Sequence, residues 1–411
     1  MNCLKNISII FLLSSFILSF IISCDSTDPK PVEKPPGYQE DIPWPSLADS
    51  PWPIYRGNPQ NTGRSQSISS ENFNIDWVID TLDLHSGISV GEDSSIYVSS
   101  QPYLYAYNYS NGLVKWRKQI GHYTRVTPIA TSENTIIVHY AGPDIKIVKL
   151  GTNGEVIWSF ENLEQDIGQL NIDPSGNIYF MSGTILYAIT KDGQLMWKID
   201  DNRFYTNSGI SFSPDGSTLY LTGNGQNNSI IAFDRINRII KWSFGSGLQY
   251  HPPLIDASGN IYFTSKVDSM NNREPAMYCL KEDGTVKWFF SHSLWSGNSP
   301  HHSAPTMDKN GNLYFGSEII YSLDHFGNLR WQLSLVNVSL GTPFICDVNG
   351  NILITVESYS GFGIFSVNAD GSIKWNTSDN YFIGESSRFS PVIIDNAVII
   401  PTQDKYLYKI L

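Results

Sequence analysis

The sequence predicts an all-β fold: an eight-bladed β-propeller made of four-stranded antiparallel blades. The first observation is a series of tryptophans at intervals of 39 to 46 residues, each expected to dock one blade on the next. They are Trp77, Trp116, Trp158, Trp197, Trp242, Trp288, Trp331 and Trp375. The second is a glycine four residues before six of these eight tryptophans, and the third is a repeated Asp-x-x-Gly-Asn turn. Self-similarity at this period is typical of a repeat architecture built from small sheets.

Each repeat can be divided into four strands around two turns. Asp-x-x-Gly-Asn begins at Asp173, Asp256, Asp308 and Asp347, where the Asp can accept a backbone hydrogen bond and the Gly can adopt a positive φ. A β-branched and aromatic run follows this turn and predicts a strand. The next run ends in a small residue such as Ala188, and a second turn leads to the tryptophan strand. One further strand before the first turn completes the blade.

The two ends of the repeat array predict how the ring closes. The last repeat, 388–411, ends without a tryptophan strand, whereas the segment 74–78 carries Trp77 before the first complete repeat. This N-terminal strand would complete the last blade and remove a free sheet edge. Seven blades with an irregular N-terminal strand are the alternative.

The N-terminus predicts export and a lipid anchor. Residues 1–23 have one charge, Lys5, before an apolar and Ser-rich run, as in a secretory signal peptide. The sequence Ile21-Ile22-Ser23-Cys24 resembles a bacterial lipobox, which would make Cys24 the lipidated first residue; an ordinary signal peptide with an incidental cysteine is the alternative. Residues 24–51 are rich in Pro and charge and predict a lipid-anchored tether before the 52–411 propeller.

The predicted location and the net charge limit the classes of possible partner. The prediction is a bacterial envelope protein at the outer membrane or cell surface rather than the inner membrane, although Asp25 resembles an inner-membrane retention signal of enterobacteria. Without Lys5 the net charge of −12 becomes −13, which argues against nucleic acid and against docking on anionic lipid headgroups. We expect a monomeric propeller that contacts the membrane through its anchor only. Cys279 and Cys346 fall in non-adjacent blades and are not expected to form a disulfide.

One segment and the repeats together resemble a known family. The segment 52–65 contains Trp52-Pro53 and Thr62-Gly63-Arg64-Ser65. It is similar to the opening motif W-P-x8-T-G-x-S of proteins with pyrroloquinoline-quinone-like (PQQ-like) propeller repeats. The repeats resemble that family's strand, L-Y-A-x-x and T/D-G-x-x-x-W pattern, so that the resemblance covers residues 52–411. A WD40 array is excluded, because no repeat tryptophan is followed by Asp.

The resemblance leaves two function classes open. The family's quinone-dependent dehydrogenases carry an adjacent Cys-Cys pair and carboxylate ligands for calcium, but no two cysteines are adjacent in this chain. The family also contains non-catalytic envelope lipoproteins that bind protein partners through loops. No hydrolase, nucleotide-binding or zinc-protease motif occurs. We therefore favour a binding or scaffolding module for protein or polysaccharide partners, with no cofactor, metal or catalytic residue. The alternative is a quinoprotein-like dehydrogenase, hydrolase or lyase.

A binding site is predicted at one mouth of the central channel. The connections from each tryptophan strand to the next blade should gather there, and loops on a rigid scaffold often bind ligands. These connections carry aromatic, Arg and His side chains, which dominate many binding energies: Tyr123, Arg125, His251, Trp295, His302 and Arg388. His251 and His302 would titrate near neutral pH. The alternative for each residue is simple packing against a neighbouring blade.

Overall fold

The computed structural model describes most of the chain after the N-terminal region. The described residues are 33–81, 84–121, 124–142, 144–161, 163, 165–205, 209–225, 228–245, 251–269, 272–291, 304–316, 319–335, 339–340, 342–358, 361–377, 389–402 and 405–411. The predicted signal peptide and Cys24 lie outside this set. Within it, no helix has the length and apolar character needed to cross a membrane.

Eight antiparallel sheets form the eight blades of the predicted propeller. The first strand of the chain is β1 (Ile75–Asp80). Blades 1 to 4 follow as β2 (Ser89–Val90), β3 (Ser95–Ser100), β4 (Tyr103–Asn108), β5 (Val114–Gln119); β6 (Ile129–Thr131), β7 (Thr135–Tyr140), β8 (Lys146–Gly151), β9 (Val156–Phe160); β10 (Asn171–Ile172), β11 (Ile178–Ser182), β12 (Ile185–Ile189), β13 (Leu195–Asp200); and β14 (Ile210–Phe212), β15 (Thr218–Gly225), β16 (Asn228–Asp234), β17 (Ile239–Phe244).

Blades 5 to 8 complete the array. Their strands are β18 (Leu254–Ile255), β19 (Ile261–Ser269), β20 (Asn272–Leu280), β21 (Val286–Ser291); β22 (Thr306–Met307), β23 (Leu313–Gly316), β24 (Ile319–Leu323), β25 (Leu329–Ser334); β26 (Ser339–Leu340), β27 (Ile345–Cys346), β28 (Ile352–Ser358), β29 (Gly361–Val367), β30 (Ile373–Asn376); and β31 (Val392–Ile394), β32 (Ala397–Pro401), β33 (Tyr406–Ile410). Blade 7 has five strands because its innermost strand is split into β26 and β27, which both pair with β28.

Burial follows the position of a strand in its blade. Every residue of β3 is buried, and the middle of β4 is buried as well, because neighbouring blades cover both faces of these strands. The outermost β5 instead alternates between exposed and half-buried residues, with Trp116 on the half-buried side. The alternation of burial from one residue to the next is therefore seen only where one face of the strand is exposed to solvent.

The repeated Asp turns form as predicted and also bind the following strand. Asp173 accepts backbone hydrogen bonds from Ser175 and Asn177 through Oδ1, at 2.9 Å each. Its Oδ2 accepts from the Tyr179 hydroxyl at 3.1 Å, and equivalent tyrosines bond Asp256 and Asp308 at 2.9 and 2.8 Å. The turn aspartate thus fixes both the hairpin and the second strand of its blade.

The glycine turns contact tryptophan rings of the preceding blade. Among the described residues, six indole N–H groups donate to a backbone carbonyl of the next blade's glycine turn, for example Trp158 to Lys191 at 3.0 Å and Trp331 to Ala369 at 2.9 Å. The glycine of that turn lies directly under the ring: a Cβ on Gly193 would lie 2.7 Å from the Trp158 ring. With φ of +78°, Gly193 also has a backbone conformation that other residues rarely adopt. The tryptophan-glycine spacing is therefore an interblade contact.

The N-terminal strand closes the ring, as predicted. Blade 8 has the order β1-β33-β32-β31, with Ile79 opposite Leu407 in the β1–β33 pair. The residues just before β1 also replace the missing outer turn of this blade, because Trp375 of blade 7 donates to the Ser70 carbonyl at 3.1 Å. The N-terminal strand therefore completes the sheet of blade 8, and the segment before it takes the place of that blade's outer turn.

Residues 36–51, within the predicted tether, are part of the folded unit, which extends over 36–411. Trp44 is buried and donates to the Ile172 carbonyl at 2.8 Å, and Leu47 forms a bridge with Thr131. The prolines and charges of this segment do not indicate these contacts, because the partners are backbone groups far away in the chain. The predicted propeller boundary at Trp52 therefore omits a segment that packs on the blades.

Candidate functional site

The two ends of the channel differ in which segments surround them. The loop face carries the connections between blades, and the turn face carries the Asp turns and the glycine turns. Of the six residues predicted at the loop-face mouth, the structure describes Arg125 and His251; Tyr123, Trp295, His302 and Arg388 lie outside the described residues. Arg125 precedes β6 and is exposed, whereas His251 precedes β18 and is half-buried.

The two described residues occupy different surroundings. The Arg125 carbonyl accepts from Gln169 Nε2 at 2.7 Å, and Gln169 Oε1 accepts from the Thr127 N–H at 2.8 Å. This pair fixes the connection before β6 and leaves the guanidinium at the surface. His251 Nδ1 lies 3.5 Å from the Tyr55 hydroxyl, which is a long contact. It joins the residues before β18 to the N-terminal segment on the turn face.

A buried histidine near the loop face was not singled out from the sequence. His139 is 1% exposed in β7, and its Nδ1 lies 2.7 Å from the Thr124 hydroxyl. Burial lowers the pKa of His139 to about 4, although the carboxylate of Asp166, 3.7 Å from Nε2, raises it. Because Asp166 is largely exposed, its charge raises the pKa of His139 only weakly. The imidazole is therefore neutral at neutral pH.

The N-terminal segment covers the turn-face mouth in two passes. The first pass, residues 36–52, moves from blade 6 to blade 1: Gln39 N–H donates to the Lys309 carbonyl at 2.8 Å, and the Trp52 carbonyl accepts from Val90 at 2.8 Å. The second pass, residues 53–65, returns in the opposite direction along the innermost strands. Its carbonyls accept from Ala130, Phe212, Ile255, Met307 and Cys346 at 2.8 to 3.2 Å. The second pass is thereby bonded to the innermost strands of five blades.

Arg56 of the second pass is a buried cation held by carbonyl groups. It is 2% exposed and donates to the carbonyls of Asn61 at 3.3 Å and Phe344 at 2.9 Å, as well as to that of Pro305. Burial lowers the pKa of the guanidinium to about 10, so the group stays charged at neutral pH. The charge therefore connects the second pass to blades 6 and 7.

These contacts give a physical reason for the opening motif. A Cβ on Gly63 would collide with the Arg56 guanidinium, and Gly63 has φ of +66°. Ser65 donates its hydroxyl to the Ile393 carbonyl at 2.8 Å, in blade 8. Trp52 is 2% exposed and packs against Gly57. The residues of this motif therefore hold the second pass against the blades.

Between the two passes lies a basin of about 880 Å³ on the turn face. Its lining includes Gln60, Arg64, Asp41, Asp49 and Glu92. Arg64 donates to Asp41 at 3.1 Å, and Lys309 reaches the same carboxylate at 2.8 Å. Partial burial raises the pKa of Asp41, but the hydrogen bonds and charges of Lys309 and Arg64 lower it overall. The sequence did not indicate this basin, because its walls come from both passes and three blades.

The described residues do not fit the calcium and quinone site of the dehydrogenases. Cys279 and Cys346 are free and buried in separate blades, so they do not form an adjacent pair. Burial raises both thiol pKa values to about 12, which leaves them protonated and unreactive. Within the described residues, no group of three or more His, Cys, Asp or Glu side chains could hold a metal ion.

Comparison with known proteins identifies relatives of the fold. A family model described as "Outer membrane protein assembly factor BamB" matches residues 58–288. No curated protein matches the chain in sequence. BamB from Moraxella catarrhalis has a similar structure, with a TM-score of 0.59 and 13% identity over 82% of this chain and 99% of that chain.

Two enzymes have similar folds. A europium-containing methanol dehydrogenase matches with a TM-score of 0.61 and 12% identity, over 85% of this chain and 89% of the enzyme. The quinohemoprotein alcohol dehydrogenase from Comamonas testosteroni matches with a TM-score of 0.62 and 10% identity, over 87% of this chain and 80% of the enzyme. At these identities the likeness concerns the fold alone.

Proposed function

The chain belongs to the PQQ-like propeller family described as outer membrane protein assembly factor BamB, and we propose that it is a non-catalytic binding or scaffolding module of the bacterial envelope. The observation that carries this proposal is the family match over residues 58–288, which includes most of the second pass and blades 1 to 5. The family description names an assembly factor, a protein that acts through its partners. We infer that envelope proteins or polysaccharides are the partners here.

The proposed partner site is the loop-face mouth with Tyr123, Arg125, His251, Trp295, His302 and Arg388. The exposed guanidinium of Arg125 and the half-buried ring of His251 support this placement, because Arg and aromatic side chains contribute strongly to protein interfaces. The blades beneath provide a rigid base for the loops.

A pull-down from envelope extract tests this site. The wild-type protein is compared with a His251→Ala/His302→Ala/Arg388→Ala variant, and Lys191→Ala on the turn face serves as the control because Lys191 is exposed there. We expect the triple variant to lose at least one partner that the wild type and the control both retain. Equal recovery of every partner by a folded triple variant would place the site on another surface.

We also propose that the module is anchored by lipid on Cys24, with residues 1–23 removed as a signal peptide. The anchor would hold the propeller at the outer membrane or the cell surface, in agreement with the family description. Cys24→Ala should abolish metabolic labelling by fatty acid and either release the domain or block its processing. Unchanged labelling of this variant would rule out the lipobox.

The enzyme alternative is tested separately with the purified protein. Incubation with pyrroloquinoline quinone and calcium is followed by a thermal shift and by dye-linked oxidation of alcohols and sugars. The binding proposal expects neither response. Dye reduction that depends on the added quinone would overturn the non-catalytic assignment.

A further inference from the structure

The glycine turn of blade 6 differs from the corresponding turns of the other blades. In the described turns that precede a repeat tryptophan, the residue before the glycine is otherwise Asn or Asp: Asn111, Asn153, Asp192, Asp283 and Asp370. These residue types suit the turn conformation. In blade 6 the position is taken by Phe326, which is 61% exposed. An exposed aromatic ring at a turn position that favours Asn or Asp points to a contact outside the fold.

The N-terminal segment joins the fold at the same blade. The folded unit covers residues 36–411, and its first residues lie between the two turns of blade 6. A Cβ on Gly37 would lie 2.6 Å from the His325 ring, and a Cβ on Gly311 would collide with the Gly37 carbonyl. The His325 ring in turn contacts Phe326, with ring centroids 3.7 Å apart. The start of the folded unit is therefore close to the exposed ring.

The length of the tether limits how far this part of the fold can lie from a membrane. Cys24 is the proposed site of the lipid, and residues 25–35 connect it to the folded unit. At roughly 3.3–3.6 Å per residue, a segment of this length spans at most about 40 Å. The anchor therefore keeps the outer edge of blade 6 near the bilayer, whatever path the tether takes.

We propose that this edge docks on the surface of the lipid bilayer that holds the anchor. The docking surface, here called the blade 6 rim, consists of Phe326, Leu329, Tyr38 and Lys309. Leu329 is 46% exposed, and Lys309 Nζ lies 5.8 Å from the centre of the half-buried Tyr38 ring. Aromatic and lysine side chains are favoured where a membrane meets water, and apolar rings can enter the boundary of the acyl chains.

A bilayer fits the rim better than a protein does. A protein interface of standard size buries about 800 Å² on each partner, which is more than these side chains offer. A tethered bilayer needs only a small contact, because the anchor raises its local concentration. The net charge of −13 without Lys5 favours neutral headgroups over anionic ones. The inference rests on the proposed lipid anchor and adds a second membrane contact to it, with the loop-face mouth directed away from the bilayer.

Lipid quenching in phosphatidylcholine vesicles tests the proposal with the anchored protein. An environment-sensitive fluorophore is attached to Leu329→Cys, and a nitroxide-labelled lipid quenches it. Labelling is selective because Cys279 and Cys346 are buried and Cys24 carries the lipid. The comparison probe is on Ile236→Cys, since Ile236 is 63% exposed on the outer turn of blade 4. We expect quenching at position 329 to be at least about two-fold stronger than at position 236.

Phe326→Ser in the protein labelled at position 329 should lower the quenching by about two-fold, because the ring no longer enters the bilayer. Ile236→Ser is the matched control, which removes an equally exposed apolar side chain from blade 4, and it should leave the quenching unchanged. Thermal melting confirms that both variants are folded.

Vesicle flotation separates a failure of the anchor from a failure of the docking. Protein that does not float with the vesicles lacks the anchor, and this outcome would overturn both proposals. Floating protein with equal quenching at positions 329 and 236 would overturn the docking alone. So would quenching that Phe326→Ser does not change, because the tether would then account for it. Loss of a captured envelope protein by Phe326→Ser, without quenching in vesicles, would assign the rim to a protein partner instead.

Discussion

Individual side chains in this protein pack against residues of the neighbouring blade. Trp197 shows this most clearly, because it is 9% exposed and contacts both Tyr179 and Phe233 with ring centroids 5.9 Å apart. Phe233 belongs to blade 4 and Trp197 to blade 3. One ring therefore carries the packing between two sheets.

Trp197→Ala should lower the free energy of unfolding by about 3–5 kcal/mol, because the lost ring leaves a cavity between two blades. Urea denaturation followed by circular dichroism measures the change. Trp242→Ala is the matched control, since the Trp242 ring is only half-buried, and it should cost less. A loss below about 1 kcal/mol for Trp197→Ala would contradict the docking role.

His139 should make stability fall in acid. Its pKa is about 4 in the fold and about 6.5 in the unfolded chain, so the folded state prefers the neutral ring. The associated stability is complete above about pH 6.5 and is lost as the pH falls toward 4, by up to about 3 kcal/mol. His139→Asn keeps a partner for Thr124 but does not titrate. Urea denaturation between about pH 7.5 and pH 4.5 should show a wild-type advantage that shrinks in acid; parallel curves would contradict the prediction.

At the scale of elements, the second pass acts as a cover that joins the innermost strands. Its carbonyls pair with the backbones of five blades, and Arg56 pairs with two connections near the channel. A segment without a repeat of its own thus joins the innermost strands of five of the eight blades.

Arg56→Ala should cost about 3–5 kcal/mol, because it leaves buried carbonyl groups without donors and opens a cavity. Arg56→Lys should recover part of this loss, since lysine keeps the charge but not the planar fork of donors. Chemical denaturation of both variants measures the difference. Wild-type stability of Arg56→Ala would show that the second pass is not held by this side chain.

At the scale of the whole molecule, the ring is closed by pairing of the chain ends. β33 lies between β1 and β32 in blade 8, and the Leu411 N–H donates to the Asn74 carbonyl at 2.8 Å. β33 is therefore an internal strand of blade 8.

Deletion of Tyr406 to Leu411 should open the ring and expose the edges of β1 and β32, which promotes aggregation. Size-exclusion chromatography and thermal melting of the truncated protein measure the outcome. Deletion of Leu411 alone is the control, because it leaves the β33 pairs in place. Unchanged melting after the longer deletion would contradict the closure.

The sequence alone determined the repeat, the turns and the shared blade, because each depends on residues that recur at fixed spacing. Asp173 with Gly176, or Gly193 with Trp197, belongs to a local pattern that repeats around the ring. The path of residues 36–65 was decided only in the tertiary structure. Arg56 meets Phe344 across 288 positions, and Gln60 meets Ile255 through backbone atoms. Every residue has a backbone carbonyl, so no residue pattern in the sequence indicates which carbonyl will accept these hydrogen bonds. The basin between the two passes forms only when the ring has closed.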